Sequence, residues 1–302
     1  MSGRAEAHPL SRASVKRDHL VRRRAVNRIM ETLSTLAAFT AVGILGIVVW
    51  SVASRGIDAI DTSFFTEVPA PFSFVPVETG IANAFVGSII LVALAAVMAL
   101  PFGVMTAIYL SEYAGRRSAS AIALSLDILN GIPSIVIGIF VFGLLVVGRG
   151  QSGVAGSFAL AIIMVPLVAR ATQEVLRLVP DATREAALAL GATKARTTLS
   201  VVLPQTIGGI LTGGTLAVAR VAGETAPLLF TSSIAGTAIN EDPHDALASI
   251  PVTIFTFSES PNPADHAQAW AAALSLILFV LVLSLGSRAL ASRYRKKLGL
   301  TR

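Results

Sequence analysis

The stretch Pro180–Pro204 reads PDATREAALALGATKARTTLSVVLP and separates two long apolar runs. Its charged side chains place it outside the lipid; they are Asp181, Arg184, Glu185, Lys194 and Arg196. Thr183 is a candidate N-cap of a short helix that runs to about Leu190, and Gly191 fits the end of that helix. Pro204 fits the first turn of the next helix, where its missing N–H costs nothing. The stretch predicts a short amphipathic helix, a tight turn and a second helix that re-enters the membrane.

Composition extends this prediction to the whole chain. The 302 residues are 54% hydrophobic and 14% charged, with a mean hydropathy of +0.73, whereas soluble domains carry about a quarter charged residues. Cysteine is absent, which excludes disulfides and thiolate metal sites, and the four histidines show no metal-ligand spacing. No G-x-x-x-x-G-K-[ST] motif occurs, so the chain lacks the nucleotide-binding loop of an ATPase. These features indicate a multi-pass membrane protein that is not itself an ATPase of that type.

Apolar segments long enough to cross a bilayer recur six times. They cover roughly residues 32–53, 82–109, 121–147, 155–178, 205–231 and 268–290. The predicted fold is therefore an all-α membrane protein with six transmembrane helices. Pro101 and Pro133 interrupt the second and third segments and predict kinks.

The predicted domain organisation has a transmembrane body between two basic ends. Residues 1–29 form a basic tail that we expect to be disordered, residues 30–292 the transmembrane domain, and residues 293–302 a basic C-terminal end. Lipid headgroups are possible partners of the tail, although a topology signal is the simpler role.

Basic residues collect on one side of the predicted helices. Twenty-one of the 24 Lys and Arg fall in the two ends or in the connections after the second and fourth helices, if Arg170 is counted there. Only Arg55, Arg149 and Arg220 remain, and the outer connections 54–80 and 232–267 are acidic. The positive-inside rule therefore predicts that both termini face the cytoplasm. This distribution also accounts for the pI near 10.3 without a nucleic-acid partner.

The fifth segment carries two charges at membrane depth. Arg220 and Glu224 are four residues apart, which places them on one helix face where they can pair. Gly209, Gly213 and Ala217 share that face and would allow another helix to approach closely. Two interpretations stay open: a structural ion pair, or an anion contact on a translocation path in which Glu224 restrains Arg220.

Asp127, in the third segment, is a further acid near lipid depth. Such an acid is either a proton carrier or the partner of an arginine on another helix. We favour the structural partner.

The stretch quoted first resembles the EAA loop of the permease subunits of bacterial ABC importers. The family pattern is E-A-A, three residues, G, nine residues, I-x-L-P, and Val201 replaces the isoleucine here. The matching positions are Glu185, Ala186, Ala187, Gly191, Leu203 and Pro204. The resemblance implies a type I importer permease of the MetI-like fold in the bacterial inner membrane, whose loop docks on a separate ATPase.

A second resemblance narrows the substrate. The run RVAGETAP at 220–227 is similar to the signature of the PstA family, the A-type permeases of high-affinity phosphate ABC importers. LSEY at 110–113 and GIPSIVIG at 131–138 are similar to the same family. The resemblance implies that Arg220, Glu224 and Thr225 lie on a phosphate translocation path.

The same resemblance implies the partners. They are a PstC-type permease in a heterodimer, two copies of a PstB-type ATPase, a PstS-type phosphate-binding protein and, in some members, a phosphate-signalling regulator. ATP and Mg²⁺ would be used by the ATPase, with no cofactor on this chain. Two alternatives remain, a permease for another oxyanion or nutrient and an ion-coupled secondary carrier that uses Asp127.

Overall fold

A computed structural model describes residues 10–69, 79–233 and 238–297. The chain divides into two compact units, Met1–Val52 and Ala53–Arg302. The first outer connection is described only outside residues 70–78. The α-helices are α1 (Leu10–Gly56), α2 (Thr62–Thr66), α3 (Ala82–Ile108), α4 (Arg116–Gly131), α5 (Ser134–Val141), α6 (Gly153–Arg177), α7 (Asp181–Ala189), α8 (Lys194–Thr197), α9 (Leu203–Val221), α10 (Ala226–Thr231), α11 (Ile250–Ser258) and α12 (Pro263–Lys297).

Helix α1 corrects the prediction of a disordered tail. The helix begins at Leu10, so most of the segment 1–29 is helical rather than disordered, and only residues 1–9 lie outside the described part. The segment from Leu10 to the apolar run contains neither proline nor glycine. Once an apolar run has formed a helix, such a sequence propagates it, because extending a helix costs far less than starting one.

Five helices in the described residues are long and apolar enough to cross a membrane, or six if one bent pair counts as a single span. The bent pair is α4 and α5, which meet at 96°. The predicted kink in the third segment is therefore a break. Its cause is Pro133, which holds Ile132 in an extended conformation (φ −72°, ψ 128°) and ends α4 at Gly131.

The core of the second unit lies where α3, α6 and α9 meet. Leu91, Ala95 and Ala99 of α3 form one buried cluster with Leu160 and Met164 of α6. The two helices approach closely at Gly103, where a Cβ atom would lie 2.7 Å from the Cβ of Val168. Small side chains at the crossing let two backbones pack without the hydrophobic driving force that water provides.

The fifth predicted segment starts earlier along the chain, and ends earlier, than the sequence indicates. A continuous helix runs from Lys194 to Val221, through α8, a π-helical turn at Thr198–Val202 and α9. It ends before Gly223, and α10 starts at Ala226. Pro227 in the first turn of α10 cannot donate to the carbonyl four residues earlier, which separates the two helices.

The outer connections contain the two short helices α2 and α11. Asp61 caps α2 by accepting a hydrogen bond from the Phe64 N–H at 2.8 Å. Hydrogen bonds from the Ser63 hydroxyl and from the Phe64 N–H lower the pKa of Asp61. Beyond α10, the Ser232 hydroxyl donates to the Leu247 carbonyl oxygen and accepts from the Leu247 N–H, which fixes the second outer connection.

Candidate coupling and translocation sites

Helix α7 forms in the predicted stretch but begins two residues before the predicted cap. Asp181 is its first residue and Pro180 occupies the cap position, so Thr183 lies inside the helix and is not its N-cap. The proline sets the extended geometry of the cap, and Asp181 puts a negative charge at the positive end of the helix dipole.

The exposed face of α7 carries apolar side chains as well as charged ones. None of its residues is buried, and Glu185 and Ala186 are exposed beside Leu188. Leu190, which follows the helix, is 90% exposed. An exposed apolar patch flanked by charges is typical of a protein–protein contact.

Gly191 ends α7 as the sequence predicts. Its φ of +82° is a left-handed conformation that glycine adopts without strain. The next helix begins earlier than Pro204, because Thr193 caps α8 by accepting a hydrogen bond from the Arg196 N–H. Pro204 follows the π-helical turn, whose wider spacing relieves the clash between a proline ring and the preceding turn.

The positions of the EAA-type pattern divide into two groups in space. Glu185 and Ala186 face outward on α7. Leu203 packs instead against the buried cluster of Ala107, Leu176, Val179 and Val202, which joins the C-terminal ends of α3 and α6 to the N-terminal end of α9. One end of the stretch is thus available to a partner, and the other is anchored in the membrane domain.

Arg184 links α7 to the membrane domain, a role that the sequence reasoning missed. Its guanidinium donates to the Glu112 carboxylate, with Nη2 2.9 Å from Oε1 and Nε 3.2 Å from the same oxygen. Glu112 lies in the π-helical turn Tyr109–Tyr113 that continues α3. The recurrence of LSEY at 110–113 in the family resemblance was the available signal, but nothing in the sequence indicates which residue this acid contacts.

Arg220 lies near the middle of the membrane domain. Gly209 faces Val175 and Gly213 faces Ala171, so α6 and α9 run antiparallel. That register brings Arg220 to the level of Met164, near the midpoint of α6. Arg220 and Leu167 line a cavity of about 370 Å³ between α6, α9 and α12. Arg220 is exposed, whereas Ala217, one turn earlier, is buried.

The predicted pair of Arg220 and Glu224 does not form. Helix α9 ends at Val221, so the two residues do not share a helix face. Glu224 lies in the break between α9 and α10. Across residues 10–69, 79–233 and 238–297, neither side chain makes a hydrogen bond or an ion pair. Thr225, also predicted for the path, lies in this break at the cap position of α10.

Asp127 forms an ion pair with Arg170 of α6, the structural alternative favoured from the sequence. Arg170 Nη2 lies 2.5 Å from Asp127 Oδ1 and 2.8 Å from the Ala123 carbonyl oxygen, and Nη1 donates to Gln173. Arg170 therefore lies within α6 and not in the inner connection where the charge count placed it. The pair joins α4 to α6.

Comparison with known proteins identifies the architecture. The sequence profile of the family described as binding-protein-dependent transport system inner membrane component matches residues 99–296. The chain belongs to this family. It is thus a permease subunit of an ABC importer in the inner membrane, and ATP hydrolysis is carried out by a separate subunit.

Several relatives of this permease bear the same name, phosphate transport system permease protein PstA. The Yersinia pestis protein is 43% identical over 242 residues, covering 79% of this chain and 81% of the relative. That of Xylella fastidiosa is 40% identical over 276 residues, covering 90% and 94%. PstA 1 of Mycobacterium tuberculosis is 39% identical over 256 residues, covering 82% and 80%. The permease is a member of the PstA family.

Solved structures show the same fold. The inward-facing MetNI methionine ABC transporter matches with a TM-score of 0.54 and 18% identity, over 70% of the permease and 93% of that chain. A bacterial ABC transporter that imports the acidic polysaccharide alginate matches with a TM-score of 0.58 and 13% identity, over 93% and 98%. The predicted all-α, MetI-like fold of type I importer permeases is confirmed.

Proposed function

We propose that this permease forms half of the translocation path for inorganic phosphate, with Arg220 as an anion contact. The main support is the position of the Arg220 guanidinium. It lies at the middle depth of the membrane domain, faces a cavity and has no partner in the described part of the chain. The naming of its relatives for phosphate transport supports phosphate as the anion.

The energetics of Arg220 favour a functional role. A charged side chain at the bilayer centre costs at least ~2.5–3.5 kcal/mol, so it is retained only where it serves a purpose. A planar guanidinium presents two parallel N–H donors to one oxyanion, which a lysine ammonium does not. Glu224 and Thr225, in the break between α9 and α10, are the polar groups nearest along the chain, and we place them on the same path.

Helix α7 supplies the coupling to ATP in this proposal. Its exposed residues Glu185, Ala186 and Leu188 would dock on the ATPase, and Leu203 and Pro204 would carry the motion into the membrane domain. Closure of the ATPase dimer would then turn the permease pair from inward- to outward-facing. The full assembly would comprise this permease, a PstC-type permease, two PstB-type ATPases and a PstS-type binding protein, with both termini of this chain in the cytoplasm.

The two alternatives make different predictions. An ion-coupled carrier that uses Asp127 would need that acid free to bind a proton, whereas Asp127 is paired with Arg170. A permease for another oxyanion would accept that oxyanion in competition with phosphate.

The test is ATP-dependent phosphate uptake by the assembled complex in proteoliposomes. We expect phosphate uptake to depend on ATP and on the binding protein. Excess sulfate should not reduce this uptake. Arg220→Ala and Arg220→Lys should each lower uptake at least tenfold while the complex still assembles and hydrolyses some ATP. Arg149→Lys, at an exposed arginine that donates only to the nearby Leu144 carbonyl, is the matched control and should transport normally. Normal uptake by Arg220→Lys would refute the contact, and uptake without ATP would refute the importer.

A further inference from the structure

The Arg184 side chain uses its donors on three separate elements. Nε and Nη2 donate to Glu112 at the end of α3. Nη2 also donates to the Leu176 carbonyl oxygen at 3.0 Å, and Nη1 to the Val179 carbonyl oxygen at 2.6 Å. The last turn of a helix leaves carbonyl acceptors free for such donors. The Leu176 carbonyl also accepts from the Val179 N–H at 3.3 Å, so Arg184 adds a second donor to it. A single side chain on α7 therefore binds the C-terminal ends of α3 and α6, two of the three helices that form the membrane core.

The bond to Glu112 is shielded from water, unlike the other ion pair of Arg184. The Glu112 side chain is 5% exposed, whereas that of Asp181, which also contacts Arg184, is 90% exposed. Exposed pairs contribute little, but a buried charge that loses its partner is costly. The Arg184–Glu112 pair is therefore costly to separate, whereas the exposed Arg184–Asp181 pair contributes little.

We propose that the Arg184–Glu112 ion pair is the link through which α7 moves α3 and α6 when the ATPase closes. The assignment rests on the proposed role of α7 as the ATPase-docking helix. The contacts of α7 itself would otherwise be weak, since it has no buried residue. The ion pair makes α7 rigid with the membrane core, so that a displacement of the helix is transmitted and not absorbed by the loop.

Arginine is required at this position by geometry. The three acceptors outside α7, one carboxylate and two carbonyl groups, lie around one planar group with donors in a fixed fork. A lysine keeps the charge but has a single nitrogen, which cannot reach acceptors on two helices in one plane. A charge swap between the two positions would likewise fail, because a glutamate on α7 cannot donate to the carbonyl oxygens of α6.

The first experiment measures phosphate imported per ATP hydrolysed by the complete reconstituted complex. Arg184→Lys and Glu112→Gln should lower this ratio roughly fivefold or more, a typical coupling between sites, with the ATPase still bound to the permease. Asp181→Asn, a charge change on the same helix, is the matched control and should keep the wild-type ratio. A purely structural pair would instead reduce the amount of assembled complex and leave the ratio unchanged, which would overturn the proposal.

The second experiment does not depend on the cargo. The chain contains no cysteine, so Met105→Cys, at a position on α3 that is 68% exposed, accepts a single spin label. ATP binding should change the mobility of this label in the otherwise wild-type complex and leave it unchanged when Arg184→Lys or Glu112→Gln is added. An equal change in all three complexes would refute the link. Failure of phosphate uptake with a normal label response would instead count against the proposed substrate alone.

Discussion

The close approach of α6 and α9 at Gly213 predicts a specific loss of stability. A Cβ atom added at Gly213 would lie 2.7 Å from the Cβ of Ala171, well inside the 3.5–4.0 Å that two carbon atoms prefer. Gly213→Ala therefore forces the two helices apart. Gly286→Ala on α12 is the matched control, because nothing lies within 4 Å of the added atom there.

The comparison of these two variants isolates the packing term. Both gain the same helix propensity, about 1 kcal/mol for glycine to alanine. Only Gly213→Ala also overpacks the core, at about 1–3 kcal/mol. The difference between the variants should therefore be about 1–3 kcal/mol, with Gly213→Ala the less stable. For a chain of this size, that corresponds to a melting temperature at least ~2 °C lower.

The assay is thermal unfolding of the purified permease in detergent, followed by circular dichroism. Adding Ala171→Gly to Gly213→Ala removes the atom that the new Cβ meets, and the double variant should melt above Gly213→Ala alone. If Gly213→Ala melts as high as Gly286→Ala, or if Ala171→Gly fails to restore stability, the packing derived for this crossing is wrong.

Three further predictions concern coupling, the intramembrane pair and topology. Glu185→Lys and Gly191→Asp should abolish phosphate uptake and weaken ATPase binding in a pull-down. The amount of permease in the membrane should stay normal, since both positions face outward. Normal uptake would remove the coupling role. Asp127→Asn should lower the free energy of unfolding by roughly 1 kcal/mol, discounted for the exposure of Asp127, and adding Arg170→Gln should recover part of the loss; an unchanged melting curve would contradict this. A reporter active only in the periplasm, fused after Arg302, should remain silent, and activity would overturn the assignment of the termini to the cytoplasm.

A prediction from the sequence was correct where the structure depends on neighbouring residues, and it failed where several signals compete or the helix is interrupted. Gly191 was predicted correctly because a left-handed helix end depends on the residue itself. The cap of α7 was misplaced at Thr183 because two overlapping local signals compete there, and the proline at 180 prevails over the threonine. The predicted pair of Arg220 and Glu224 does not form. A spacing of four residues implies a shared face only within one continuous helix, and the helix is interrupted before Pro227.

The class of this protein follows from local features of its sequence. The lengths of the apolar runs, the side on which the basic residues collect and the loop at 180–204 are local properties, because each backbone segment in lipid must satisfy its own hydrogen bonds. Which charged side chains form pairs depends on how the helices pack. Arg184 pairs with Glu112, 72 residues away in the sequence, and Arg170 pairs with Asp127, 43 residues away. Arg220 has no partner in the described part of the chain. Such pairs depend on how helices pack, and no spacing along the sequence encodes that arrangement.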